Sequence, residues 1–312
     1  MISQPIQLLP LFRERPWGRE NLAPYFERPT PGPRIGEAWF TFRENVTSDG
    51  GTLGELLNEH PGILGTGADS SHPGICPLLV KLLFTTERLS VQVHPDDDYA
   101  ERHHKSLGKT EAWYVLDSQP PGELAVGFKQ LLTPQQLKET AQSGEIEELL
   151  DWRRVYAGDV IFIPAGTVHA IGAGLTICEI QENSDITYRL YDYGRPRELH
   201  LEHGLKVSRL GPHQFAARQI SFTSWRVQLL ESSYFRVERL RPQTPICFVS
   251  SPCYLLLICT KGTGTLAGLP FRAGQAWMIP ARANGLELNG AGSEWILTYT
   301  AHEPTSAVHE CA

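Results

Sequence analysis

The stretch Ala157-Gly158-Asp159-Val160-Ile161-Phe162-Ile163-Pro164-Ala165 returns 116 residues later as Ala273-Gly274-Gln275-Ala276-Trp277-Met278-Ile279-Pro280-Ala281. Each copy reads as a glycine turn, a short apolar strand and a proline-led turn. Proline lacks the N–H that a ladder needs, so each strand stops there. A unit that recurs along a chain marks a repeated fold. The expectation is a mainly β protein made of two like barrels, residues 1–211 and 212–312, divided near Gly211-Pro212.

Length agrees with two units, because single cores stop growing at roughly 250–300 residues and this chain has 312. Its 28 glycines and 23 prolines cut the remainder into short strand-like runs, which suits a barrel or sandwich and not a helical bundle. Helices are few. Thr52-Leu53-Gly54-Glu55 has capping-box spacing and opens a helix that Pro61 stops. Thr133-Pro134-Gln135-Gln136 opens another, broken near Ser143-Gly144 and resumed over 145–150, giving a small helical insertion at about 132–151.

The net charge of −7 is spread along the chain and forms no basic stripe, which argues against a nucleic-acid partner. No run approaches the ~18 apolar residues of a membrane span, and no basic-then-apolar leader is present, so a soluble cytoplasmic protein is expected. The number of subunits is left open. Cys76, Cys178, Cys247, Cys253, Cys259 and Cys311 include no CxxC pair, and free thiols are expected.

Candidate chemistry gathers in the first unit. Leu89-Ser90-Val91-Gln92-Val93-His94 alternates, so as a strand it sends Ser90, Gln92 and His94 to one face. Pro95 and the acidic Asp96-Asp97-Asp98 end it and start a short helix toward His103-His104. Lys109-Thr110-Glu111-Ala112-Trp113 puts Lys109, Glu111 and Trp113 on a shared face by the same period, and His169 follows a turn after the repeated strand. Each piece alone reads equally as polar surface. Together Gln92, His94, Glu111 and His169 offer two imidazoles, a carboxylate and an amide oxygen, a set that suits zinc with water, or iron or manganese. His200 and His203 have HxxH spacing without the HExxH order and read as structural. Lys81, inside Leu78-Leu79-Val80-Lys81-Leu82-Leu83, needs an anion, a catalytic role, or an escape to the rim. Alternation places Glu179 with Leu175, Ile177 and Gln181, so its carboxylate enters an apolar interior that raises its pKa. It is the leading proton carrier, with Asp185 or a metal-bound water as alternatives, and the competing role for Glu179 is to orient a metal ligand or pair with Lys81. Arg189 suits a phosphate or sugar oxygen.

These residues resemble the type I mannose-6-phosphate isomerases (phosphomannose isomerases), in their shorter bacterial branch. The resemblance runs through Pro16-Trp17-Gly18, Gly36-Glu37-Ala38-Trp39, Gln92-Val93-His94-Pro95, Gly108-Lys109-Thr110-Glu111, Pro164-Ala165-Gly166-Thr167-Val168-His169 and Ser184-Asp185-Ile186-Thr187-Tyr188-Arg189. It implies cupin barrels and one Zn2+ per chain on Gln92, His94, Glu111 and His169; aligning Pro164 with Pro280 puts Gly285 where the first copy has His169, so no metal is expected in the second barrel. It also implies a phosphosugar pocket lined by Trp17, Lys81, Ser90, Lys109 and Arg189, with Arg189, Glu179, Asp185 and Lys109 as catalytic candidates. The expected reaction interconverts mannose 6-phosphate and fructose 6-phosphate through a cis-enediol. Three departures are visible: Ile171 stands where many larger members carry an aromatic, their large helical domain is reduced to the insertion at about 132–151, and the carboxy-terminal half resembles the family only weakly. A metal oxygenase of the same fold, or a non-catalytic sugar-phosphate sensor, are the competing readings.

Overall fold

The computed structural model describes residues 2–29, 31–68, 72–213, 219–301 and 303–311. All seven residues of the strand Leu78–Phe84 are buried. A strand with no polar alternation must have both faces covered, and this one lies between two barrels. One wall of the first barrel runs Leu11–Arg19, Ile35–Trp39, Leu78–Phe84, Leu175–Glu182, Glu111–Ser118, Val160–Ile163. The opposing wall runs Tyr188–Tyr191, Val91–Val93, His169–Ile171, Glu123–Phe128, Leu150–Arg154. Trp17, Leu83, Trp113, Val126, Ile163 and Ile177 fill the space between them.

The second barrel repeats this order. Its larger sheet runs Ile220–Ser221, Arg226–Glu231, Arg236–Leu240, Glu294–Tyr299, Leu255–Lys261, Ala276–Ile279 and then Ile6–Leu8. Its smaller sheet runs Val308–Glu310, Ile246–Phe248, Leu286–Asn289, Thr263–Leu266, Leu269–Arg272. With Ile6–Leu8 set aside, every strand has a counterpart at the same place in the first barrel. Gly158 and Gly274, which open the two echoing segments, share a left-handed turn with φ of 96° and 88°, a conformation glycine adopts without penalty. We propose two barrel domains parted at 211/212, with one exchange that no local pattern announces. Ile6–Leu8 leaves the first and pairs antiparallel with Ala276–Ile279 of the second.

The two larger sheets pack back to back. Val80, Leu82, Phe84, Tyr114, Cys178 and Ile180 meet Val237, Leu256, Ile258, Met278 and Ile296 in one continuous core. Phe84 is 1% exposed and lies 6.1 Å from the rings of both Tyr25 and Phe26. Phe84→Ala is expected to lower unfolding stability by about 3–5 kcal/mol in urea titrations. A loss below about 1 kcal/mol would show that the layer is not one packed core.

The capping box expected at Thr52 with Glu55 forms and starts the helix Leu53–Glu59, and a second one, at Thr133 with Gln136, starts Pro134–Ser143. The latter helix, with Ile146–Leu149, covers the outer face of the smaller sheet through Leu137, Ala141 and Ile146 against Val91, Val93 and Phe128. No helix among the described residues is long and apolar enough to cross a bilayer.

Two expectations are corrected. The strand expected from Leu89 starts only at Val91. Leu89 donates its N–H to Ile171 and packs inside the barrel, whereas Val91 and Val93 pack outside it, so the alternation holds only from the point where the ladder begins. Of the six cysteines, Cys76, Cys178, Cys253 and Cys259 are free, but Cys247 and Cys311 form a disulfide. Ile246–Phe248 and Val308–Glu310 are neighbouring strands, and Cys311 N–H bonds to Pro245 O, which brings together thiols 64 residues apart.

Candidate metal centre and active site

Three side chains converge at the floor of the first barrel. His94 directly follows the strand Val91–Val93, Glu111 begins Glu111–Ser118, and His169 begins His169–Ile171. Their ligand atoms lie within 4.8 Å of one another, and all three residues are buried. His94 Nδ1 donates to Ile186 O at 2.8 Å, and His169 Nδ1 donates to Thr167 O at 2.9 Å. These bonds select the tautomer whose Nε2 carries a lone pair, the tautomer a histidine needs to bind a metal through that atom. The two Nε2 atoms stand 3.6 and 3.3 Å from Glu111 carboxylate oxygens. Burial, with Lys109 and His169 adding repulsion, holds His94 well below its ordinary pKa, and burial first pushes His169 down to about 4. Both imidazoles are therefore neutral at pH 7, each with a lone pair on Nε2.

Glu111 is fully buried, and neither oxygen receives a well-directed hydrogen bond, although Lys109 Nζ is 3.0 Å from one of them. Burial raises its pKa to about 7, against the pull of Lys109. A buried carboxylate with orphaned oxygens, faced by two imidazole lone pairs, is a donor set that fits a metal ion. Gln92 lies beside it, with its amide nitrogen 3.2 Å from His169 Nε2 and its oxygen accepting from Ser90 Oγ at 3.3 Å. Half a turn of the amide presents the oxygen to the cluster instead, since the two ends are nearly isosteric.

Lys109 Nζ also reaches His94 Nε2 at 3.1 Å. Burial opposes its charge, but Glu111, Glu179 and Asp185 outweigh burial and keep it protonated. Lys81 does not escape to the rim: its ammonium is held by Glu179 at 3.1 Å and Gln181 at 2.7 Å and lies over the Trp39 ring at 4.7 Å. Glu179 shares the interior face expected of it, and its other oxygen accepts from Trp113 Nε1 at 3.1 Å. The direction of its pKa shift is the reverse of the expectation. Burial alone pushes it up, but Lys81 and then Lys109, with hydrogen bonds from Lys81 and Trp113, carry it well below the usual carboxylate range.

A cavity of about 490 Å³ opens above this floor. Trp17, Lys81, Ser90, Gln92, Lys109, Glu179, Asp185 and Arg189 all line it, as does Ile171, which forms an apolar wall. His94, Glu111 and His169 lie below its lining. Arg189 donates to Glu198 O at 2.7 Å while its buried Nε has no partner, leaving donors for an anion. Arg197 lines the same rim and was not singled out from the sequence. It is clamped to Asp192 by two 2.6 Å hydrogen bonds, and Arg195 joins Asp192 at 2.8 Å. The run Arg195-Pro196-Arg197, six residues past Arg189, was the available signal. Arg15 and Glu37, paired at 2.7 Å, complete the far side and were also missed. His200 is structural as expected, its Nδ1 accepting from Arg189 N–H at 3.2 Å.

The second barrel lacks this chemistry at matching positions. Glu111 pairs with Ile163, whose repeat counterpart Ile279 pairs with Leu255. By the same ladders, Leu297 replaces Glu179 and Glu238 replaces Lys81. Glu238 is neutralised by Arg226 at 2.6 Å, not offered to an ion. Elemental analysis of dialysed protein is expected to find one tightly held metal per chain, and two that survive dialysis would contradict the assignment.

A barrel of this topology, with two imidazoles and a carboxylate under a charged cavity, is that of a metal-binding cupin enzyme. Residues 7–137 match the family model for the phosphomannose isomerase type I catalytic domain. The mannose-6-phosphate isomerase ManA of Bacillus subtilis (strain 168) is 35% identical over 313 residues, covering 93% of this chain and 97% of its own. The mannose-6-phosphate isomerase of Streptococcus mutans is 31% identical over 309 residues, covering 93% and 96%. The crystal structure of mannose 6-phosphate isomerase from Bacillus subtilis superposes with a TM-score of 0.85 at 29% identity, covering 95% and 99%. The chain belongs to the type I phosphomannose isomerase family.

Proposed function

We propose that this chain is a cytoplasmic, zinc-dependent aldose–ketose isomerase that interconverts mannose 6-phosphate and fructose 6-phosphate. The observation that carries the reading is the buried His94, Glu111 and His169 cluster under a cavity rimmed by Arg189 and Arg197. His94, Glu111 and His169, with the Gln92 amide oxygen, would hold the ion, and two imidazoles with oxygen donors suit zinc. Bound there, it supplies Lewis-acid stabilisation of charge on sugar oxygens.

The reaction moves a proton between C2 and C1 of the open-chain sugar through a cis-enediol. Lys109, protonated beside the cluster, places positive charge next to the oxygens that become negative. Arg189 and Arg197 take the phosphate at the rim, where planar guanidinium groups match its oxygens. Ser90, Trp17 and Ile171 shape the wall against which the sugar lies. Glu179 has both oxygens occupied and a depressed pKa, so it is a weak base, and its work is to hold Lys81 and Trp113 in place. Asp185 faces the cavity from an exposed position with no hydrogen-bonding or ion-pair partner among the described residues, and it carries the proton.

The test is a coupled isomerase assay on metal-stripped protein, repeated after adding zinc, manganese, cobalt or iron. Turnover of mannose 6-phosphate is expected to vanish on stripping and to return best with zinc. Full activity without metal, or restoration by iron alone together with oxygen consumption, would overturn the reading.

A further inference from the structure

On the outer face of the catalytic barrel, three imidazoles from two helices lie together. His103 and His104 end the helix Asp97–His104, and His203 lies in the helix Leu201–Val207. The ring centroids are 5.5 Å apart for His103 and His203, 5.8 Å for His104 and His203, and 6.4 Å for His103 and His104. Three imidazoles on one tetrahedral ion with nitrogen bonds of about 2.0–2.1 Å have centroids about 5 Å apart. The widest separation, His103 to His104, exceeds that by about 1.4 Å, and side-chain torsions can close it because His103 and His104 are exposed.

The hydrogen bonding leaves the right atoms open. Tyr99 hydroxyl lies 2.9 Å from His203 Nδ1, and Tyr188 hydroxyl lies 2.6 Å from His104 Nε2. Each tyrosine fixes one ring nitrogen and leaves the other uncommitted, as outer-shell partners of metal-binding histidines do. Neither nitrogen of His103 has a hydrogen-bond partner among the described residues. No described carboxylate is within ion-pair distance of the three rings. An all-nitrogen cluster of this kind disfavours calcium and magnesium, which take oxygen, and favours later transition metals. Burial, then the nearness of His203 and His103, holds His104 below its ordinary pKa, which keeps lone pairs available.

We propose that His103, His104 and His203 form a second, exchangeable site for a divalent transition-metal ion such as Ni2+ or Zn2+, separate from the buried centre. It goes beyond the isomerase reading and does not depend on it.

The experiment uses the untagged, zinc-loaded chain, dialysed against micromolar Ni2+ and assayed by elemental analysis. One nickel per chain is expected beside the retained zinc, removable by a weak chelator. His103→Gln and His203→Asn are each expected to weaken nickel uptake by at least roughly tenfold, leaving zinc content and isomerase activity unchanged. His103→Gln, at an exposed position, carries the test if His203→Asn does not fold. No nickel bound at millimolar concentration, or equal uptake by the variants, would show that the rings only pack as an aromatic cluster. Because the readout is outer-metal content, its failure is distinguishable from failure of the isomerase assignment, which turns on the inner metal and turnover.

Discussion

His94→Ala and His169→Ala enzymes are expected to emerge from dialysis with little metal and with no measurable isomerisation. Each imidazole is fixed by a hydrogen bond from Nδ1 to a backbone carbonyl, at Ile186 and Thr167, so each ligand is held in position before an ion arrives. Disturbing such outer partners alone costs about 10–100-fold in metal affinity, and deleting the ligand itself removes more. Glu111 is then left with one imidazole and Lys109, which already stands 3.0 Å away and can close the site as an internal ion pair. Elemental analysis and the coupled assay check the two halves of the prediction separately. A variant with full metal content would remove that histidine from the ligand set, whatever its activity.

Asp185→Asn is expected to lower turnover by about 10²–10⁴-fold, the usual contribution of one positioned acid–base group. Its metal content, stability and KM should stay near normal, because Asp185 is exposed and makes no hydrogen bond or ion pair among the described residues, and Glu111 and Glu179 still hold the Lys109 charge. Exchange of the C2 proton with solvent, followed by NMR in deuterium oxide, should fall with turnover. Glu179→Gln is expected to behave differently. It leaves the buried Lys81 ammonium without its countercharge, and breaking such a pair costs about 3–5 kcal/mol of stability, measurable by urea denaturation. The folded fraction should still exchange the C2 proton. Normal exchange in Asp185→Asn combined with lost exchange in a stable Glu179→Gln protein would reverse the two assignments.

That His94 and Glu111 share an interior face was legible because a strand has a period of two and because their neighbours in sequence supply the contrast. Ser90, Gln92 and His94 alternate with apolar residues, and Lys109, Glu111 and Trp113 recur at the same spacing of two. Even so, the phase failed at Leu89, where the residue lies outside the ladder and obeys the cavity instead. What the sequence could not show are quantities set by partners from distant strands. Glu179 was correctly placed inside the barrel, yet the sign of its pKa shift depends on Lys81 across the sheet, 98 positions earlier in the chain. The bond between Cys247 and Cys311 depends on two strands becoming neighbours. Arg197 escaped notice because a basic turn reads as ordinary surface until Asp192 aims it at the cavity.

The pairing of Ile6–Leu8 with Ala276–Ile279 has a consequence for the birth of the protein on the ribosome. At about 5–20 residues per second, the strand made first waits roughly 15–50 s for its partner, with one edge bonded to residues 46–48 and the other edge unpaired. Until then the larger sheet of the second barrel lacks an outer strand, and the nascent chain is open to pairing with other copies. Slower elongation lengthens that exposure. Proteins carrying Leu8→Lys, which blunts the waiting edge, should aggregate less during cell-free synthesis while losing stability once complete.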